Sequence, residues 1–240
     1  MSSRKRDARY AGILYLLLSL VAPFGMMYVP SAFFVSGDAT ATSGRIMAGE
    51  MVYRLGVVTD LASQAIAVFL TLALYQLLKD VNRQHALLMV ALSLVGIAMG
   101  FTNTLRQSAP LVFLSGADYL SVFDRQQLDA LAFASLRLRN QGVTAVSLYW
   151  GLWLLPFGLL VWRSGFIPRI FGALLWVAGV AYIVSCLTSL LFPDYGRMIS
   201  PVTLALVAAE VPIIFYLVIK GAREVPGDPM TPGSRIAVQA

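Results

Sequence analysis

Nine side chains could do chemistry in an otherwise apolar chain: Glu50, Arg54, Asp60, Gln64, Asn103, Arg106, Asp194, Tyr195 and Glu210. Glu50 and Arg54 are spaced i,i+4 with the acid first, the favourable order for an ion pair on one helix face. Asp60 and Gln64 repeat that spacing and, with Thr59 and Ser63, form a polar band one turn long. Glu210 falls two residues before Pro212, whose ring leaves a carbonyl one turn back without its N–H. A charge inside a membrane span costs roughly 2.5–3.5 kcal/mol on insertion scales, so each is a functional candidate unless paired. Arg54 or Arg106 is the expected partner of Glu210. All nine would then line or rim an outward-facing polar pocket between the second, third and sixth helices, fit for a small polar or amphiphilic ligand. The alternative is a buried network that only sets helix register.

Other chemistries lack their residues. His85 is the single histidine, and it falls in a short basic loop remote from the carboxylates, which excludes a Ser-His-Asp or Cys-His arrangement. Paired-histidine haem ligation and a Cys/His zinc site fail for the same reason. There is no P-loop, and the lone Cys186 can form no internal disulfide. No cofactor or metal is expected. A carboxylate-only enzyme acting on a lipid-like substrate needs two of Glu50, Asp60 and Glu210 within roughly 10 Å of each other. A scaffold subunit of a membrane complex is the remaining alternative.

The elements that must position these residues are membrane helices. The chain is 58% hydrophobic and 12% charged, against roughly 25% charged in soluble domains. About 20 apolar residues cross the hydrocarbon core as a helix, and runs of that length occupy 10–29, 52–78, 86–105, 142–162, 170–192 and 199–219. The fold class is all-α, a six-transmembrane-helix bundle over 10–220. Residues 1–9 form a basic cytoplasmic N-terminus and 221–240 a Pro- and Gly-rich disordered tail. The first run is too long for the apolar core of a signal peptide and is kept as a span.

Eleven of the 18 Lys and Arg fall on the side that holds both termini, in short segments. The positive-inside rule therefore makes both termini cytoplasmic. The net charge of +6 reflects this topology and contact with the lipid bilayer, not nucleic acid. Tyr10, Tyr28, Tyr53, Trp162 and Tyr195 fit an aromatic belt. Oligomeric state is not legible, since the Gly96/Gly100 pair can pack helices within or between chains.

Two outer segments should carry structure. Asp38 can cap a short helix over 39–47 that leads into the second span. Asp124 with Gln127 is a capping-box variant. It opens an amphipathic helix in the long outer loop between helices three and four, with Leu128, Leu131, Ala132 and Leu136 on one face.

Several short stretches, taken together, resemble the DUF4386 family of multi-pass membrane proteins. They are Arg9-Tyr10-Ala11-Gly12, Gly37-Asp38-Ala39, Glu50 with Arg54-Leu55-Gly56 and Asp60, the basic turn 79–83, Ser115-Gly116-Ala117-Asp118-Tyr119, Ser164-Gly165 with Pro168-Arg169, and Pro193-Asp194-Tyr195. The likeness covers about residues 8–223. It implies a six-helix bacterial membrane protein, supplies no reaction or ligand, and places Glu50, Arg54 and Asp60 in a recurrent segment.

Overall fold

A computed structural model describes residues 3–223, with backbone alone for 196–200. The expected disordered tail lies mostly outside the described residues. The described secondary structure is helical: α1 (Ser3–Pro23), α2 (Val29–Phe33), α3 (Ala39–Ala48), α4 (Glu50–Leu78), α5 (Arg83–Phe113), α6 (Arg125–Ser164), α7 (Arg169–Leu191), α8 (Pro193–Val207) and α9 (Val211–Ile219). Among the described residues, six stretches are long and apolar enough to cross a membrane: Ser3–Phe33, Glu50–Leu78, Arg83–Phe113, Arg125–Ser164, Arg169–Leu191 and Pro201–Ile219. The chain is a multi-pass helical membrane protein.

Two of these stretches are irregular, each beside a proline. Between α1 and α2 the backbone widens into a π-helical turn, Phe24–Tyr28, where the Val29 N–H reaches back to the Phe24 carbonyl. Pro30 follows, and the carbonyls it would have served in an α or π register are those of Met26 and Gly25. Between α8 and α9 a 3-10 turn, Ala208–Glu210, tightens the helix just before Pro212. Pro212 has no N–H for the Ala208 carbonyl, and the Val211 N–H takes that carbonyl instead.

The segment read from sequence as a separate amphipathic helix is helical but not separate, because α6 runs 40 residues from Arg125 through Ser164. Asp124 and Gln127 do form the reciprocal box. The Gln127 N–H donates to Asp124 Oδ1 at 2.8 Å, and the Asp124 N–H donates to Gln127 Oε1 at 2.9 Å. Nothing between that cap and Gly142 breaks a helix. Asp38 caps α3 by accepting from the Ala41 N–H at 2.8 Å.

The chain divides into two compact units, one of Met1–Leu17, Ile66–Gly96 and Ser147–Ala240, the other of Leu18–Ala65 and Ile97–Val146. In the first, glycines let backbones touch. A Cβ on Gly151 would stand 2.5 Å from the Gly179 carbonyl oxygen, and one on Gly172 would stand 2.7 Å from that of Gly158. Small residues at such crossings give close van der Waals packing where lipid removes the hydrophobic drive between helices. Trp176 Nε1 donates to the Leu155 carbonyl at 3.0 Å across the same α6–α7 contact. In the second unit the apolar core is Val29, Phe33, Ile46, Tyr53 and Leu136. Phe33 meets Tyr53 edge-on, with ring centroids 5.5 Å apart.

Candidate functional site

The second unit contains a buried polar cluster centred on Arg139, a residue of α6 that sequence reasoning assigned to an outer loop. Its side chain is 6% exposed. The guanidinium spreads its donors over four elements. Nε donates to Gln107 Oε1 of α5 at 3.0 Å, Nη2 to the Met26 carbonyl of the π turn at 3.2 Å, and Nη1 to Asn140 Oδ1 at 3.4 Å. Asp60 of α4 supplies the counter-charge, with Oδ2 at 3.8 Å from Nη2. That separation is an ion pair but not a direct hydrogen bond.

The π turn and Pro30 explain why backbone oxygens take part. Gln107 Nε2 reaches the Gly25 carbonyl at 3.4 Å, and Arg139 takes that of Met26. These are the two acceptors that Pro30 leaves without an amide partner one turn on. Gly25 is required by contact: a Cβ there would lie 2.5 Å from the Gly56 carbonyl oxygen, 2.6 Å from Asp60 Oδ1 and 2.8 Å from Thr59 Oγ1. Tyr53, buried on the same side of α4, donates its hydroxyl to the Gln107 carbonyl at 2.5 Å.

A small cleft opens on this cluster. Its lining combines the polar side chains of Tyr53, Gln107, Arg139 and Asn140 with the apolar ones of Val29, Phe33, Phe34 and Leu136. The accessible cavity is about 10 Å³, the scale of one water molecule. Phe34 is held by a stacked contact with Phe133 at 5.0 Å.

The residues singled out from sequence have the following places. Glu50 and Arg54 pair at 2.7 Å, each about half exposed. Asp60 is 8% exposed and belongs to the Arg139 cluster. Gln64 packs at Gly100 of α5, where an added Cβ would clash with its amide. Asn103 is buried, and it and Arg106 lie against Gly142 of α6, with Asn103 Oδ1 in the space that a Cβ there would need. Arg106 Nη1 is 3.5 Å from Asn103 Oδ1. Asp194 and Tyr195 are exposed at the start of α8, and Tyr195 meets Phe192 edge-on. Glu210 accepts a hydrogen bond from the Tyr15 hydroxyl within the first unit, so its partner there is a phenol.

The structure thus joins Asp60 to Arg139, Gln107 and Tyr53, which sequence reasoning left out. One sequence signal pointed to Arg139. The capping box at Asp124 starts a helix that no proline or glycine interrupts before Gly142, and this helix carries Arg139 into the apolar span. Among the described residues no group of three or more His, Cys, Asp or Glu side chains converges as a metal set.

An archaeal relative, an uncharacterized protein of Archaeoglobus fulgidus, is 37% identical over 76 residues, 32% of this chain and 44% of the relative. The chain therefore spans less than half of that relative's length. No solved structure matches. The model of the family described as a domain of unknown function, DUF4386, matches residues 10–221, nearly the whole chain, and the protein belongs to that family.

Proposed function

We propose that this protein receives a small polar or amphiphilic ligand at the Arg139 cleft, within the membrane, to sense it or pass it on. One observation carries the reading: a nearly fully buried cation lines a cleft together with both polar and apolar side chains. Buried charges inside spans are costly and cluster at ligand and ion paths. A guanidinium that served register alone would be expected to close its fork on its carboxylate, as Arg–carboxylate pairs often do. Here the carboxylate is the most distant partner. The outward opening, the bacterial inner membrane and the cytoplasmic termini are parts of the same proposal, supported by the distribution of Lys and Arg. Reporter fusions at the two ends test the orientation.

The enzyme reading gains no support, since Glu50, Asp60 and Glu210 have three different partners in Arg54, Arg139 and Tyr15. A structural reading has one observation behind it: the cavity has room for only about one water, so a ligand must part side chains such as Phe34 and Phe133. The deciding experiment is thermal unfolding of the purified chain in lipid nanodiscs with small polar and amphiphilic compounds added singly. The proposal expects at least one compound to raise Tm in the parent and much less in Asn140→Ala. If no compound does so, the cluster is structural.

A further inference from the structure

We infer that the cleft accepts an oxyanion head group, carboxylate or phosphate, carried on an apolar chain, and that Asp60 is the internal counter-ion which that head group replaces. This rests on the reading of the cleft as a ligand site and adds the chemical class of the ligand.

The argument starts from what surrounds the guanidinium. Arginine presents a planar fork that matches carboxylate and phosphate oxygens two at a time. In Arg139 each nitrogen has an acceptor, but three of the four acceptors are neutral: the Gln107 amide oxygen, the Met26 carbonyl and the Asn140 amide oxygen. The charged acceptor, Asp60, is the farthest at 3.8 Å. The longest of the hydrogen bonds is to Asn140, an exposed residue at the cleft, at 3.4 Å. The Nη1 corner, bonded to Asn140 of the cleft lining, is therefore the least tightly held part of the fork. An incoming oxyanion can take Nη1 over from the Asn140 amide oxygen, forming a charge-assisted bond roughly twice as strong as a neutral one, and can accept from the Asn140 amide N–H as well.

Asp60 is constrained differently. Its Oδ1 lies against Gly25, 2.6 Å from where a Cβ of that residue would stand, while its Oδ2 stays 3.8 Å from the guanidinium. The carboxylate satisfies overall charge without occupying the fork. Net charge in the cluster is zero with Asp60 ionised, so an anionic ligand competes with Asp60 for Arg139. The class of tail follows from the apolar part of the lining, since Val29, Phe33 and Leu136 belong also to the apolar core of the unit.

The test uses the full chain in nanodiscs of zwitterionic lipid, titrated with dodecanoate, dodecyl phosphate, dodecanol and dodecylammonium while Tm is followed. Dodecanoate, dodecyl phosphate or both should stabilise the parent, and the arm that binds tells a carboxylate head from a phosphate one. Asp60→Asn removes the competing charge and keeps the shape, so it should tighten anion binding by about tenfold, the equivalent of about 1.4 kcal/mol. Arg139→Lys keeps the charge without the fork and should weaken it. If dodecanol stabilises as well as the anions and Asn140→Ala removes its effect, the anion inference is overturned and the ligand site stands. An Asp60→Asn chain that folds with unchanged anion affinity overturns the displacement by itself. No cleft-dependent binding in any arm overturns both.

Discussion

Arg139 Nη2 lies 3.2 Å from the Met26 carbonyl oxygen and 3.8 Å from Asp60 Oδ2. A buried cation is thus shared between a carboxylate and a backbone acceptor that Pro30 helps to leave open. The two partners are unequal in what each loses. Without Asp60, Arg139 retains three neutral acceptors; without Arg139, Asp60 retains no hydrogen-bond donor that the geometry identifies among the described residues. Breaking a buried pair from one side costs about 3–5 kcal/mol, because it strands the other charge. Arg139→Gln is expected at or near that cost, and Asp60→Asn well below it. Unfolding midpoints of the two variants in one detergent check the order, and an Asp60→Asn cost equal to or above that of Arg139→Gln refutes it.

Gly25 tests the contact between the π turn and α4. The Cβ introduced by Gly25→Ala would press on a carbonyl oxygen of α4, which cannot rotate away, and on Asp60 itself. Overpacking of this kind costs about 1–3 kcal/mol. Gly44 is the control: it is in the interior of α3, exposed, with nothing within 4 Å of its Cβ position. Gly44→Ala should therefore stabilise by about 0.5–1 kcal/mol through the lower entropy of the unfolded chain. Opposite signs for the two substitutions in the same melting assay are the expected outcome.

Much of this architecture was legible in sequence, for reasons that particular residues make plain. Six apolar runs dictated six helices because lipid leaves the backbone no other partner. Asp38 and the Asp124/Gln127 box were readable because a cap is a local interaction, settled within four residues. Glu50 and Arg54 were readable for the same reason. The Arg139 cluster was not, since its members are Asp60, Gln107 and the Met26 carbonyl, each on a different element, and spacing along one helix carries no information about those meetings. Arg139 was also obscured because the amphipathic helix expected after Asp124 was kept apart from the fourth span, although no proline or glycine separates the two before Gly142. The π turn could not be foreseen from Pro30 alone, since a proline one turn on can also produce a simple kink.

The exposed pair separates two ideas about Glu210. Arg54 is about half exposed and its partner Glu50 equally so, and exposed pairs contribute about 0–1 kcal/mol. Arg54→Gln should therefore change stability little. Tyr15→Phe removes the hydroxyl that donates to Glu210 and leaves a span carboxylate without that donor, a loss of about 1–3 kcal/mol. A large effect at Arg54 with none at Tyr15 would return Glu210 to an arginine partner.

The reciprocal box at Asp124 and Gln127 should behave as a local element, because both of its bonds are at the solvent-exposed start of α6. Asp124→Ala removes the acceptor of the Gln127 N–H and is expected to cost about 1 kcal/mol. Gln127→Ala removes only the reverse bond and should cost less. Hydrogen exchange at the amides of residues 125–128 reads the difference directly. If the box acts only on its own turn, Asp124→Ala raises exchange there and leaves the amides around Arg139, nearly four turns further along the same helix, unchanged. If exchange near Arg139 rises as well, the first turns of α6 and the Arg139 cluster open together, and any ligand that enters the cleft would then also order the start of this helix.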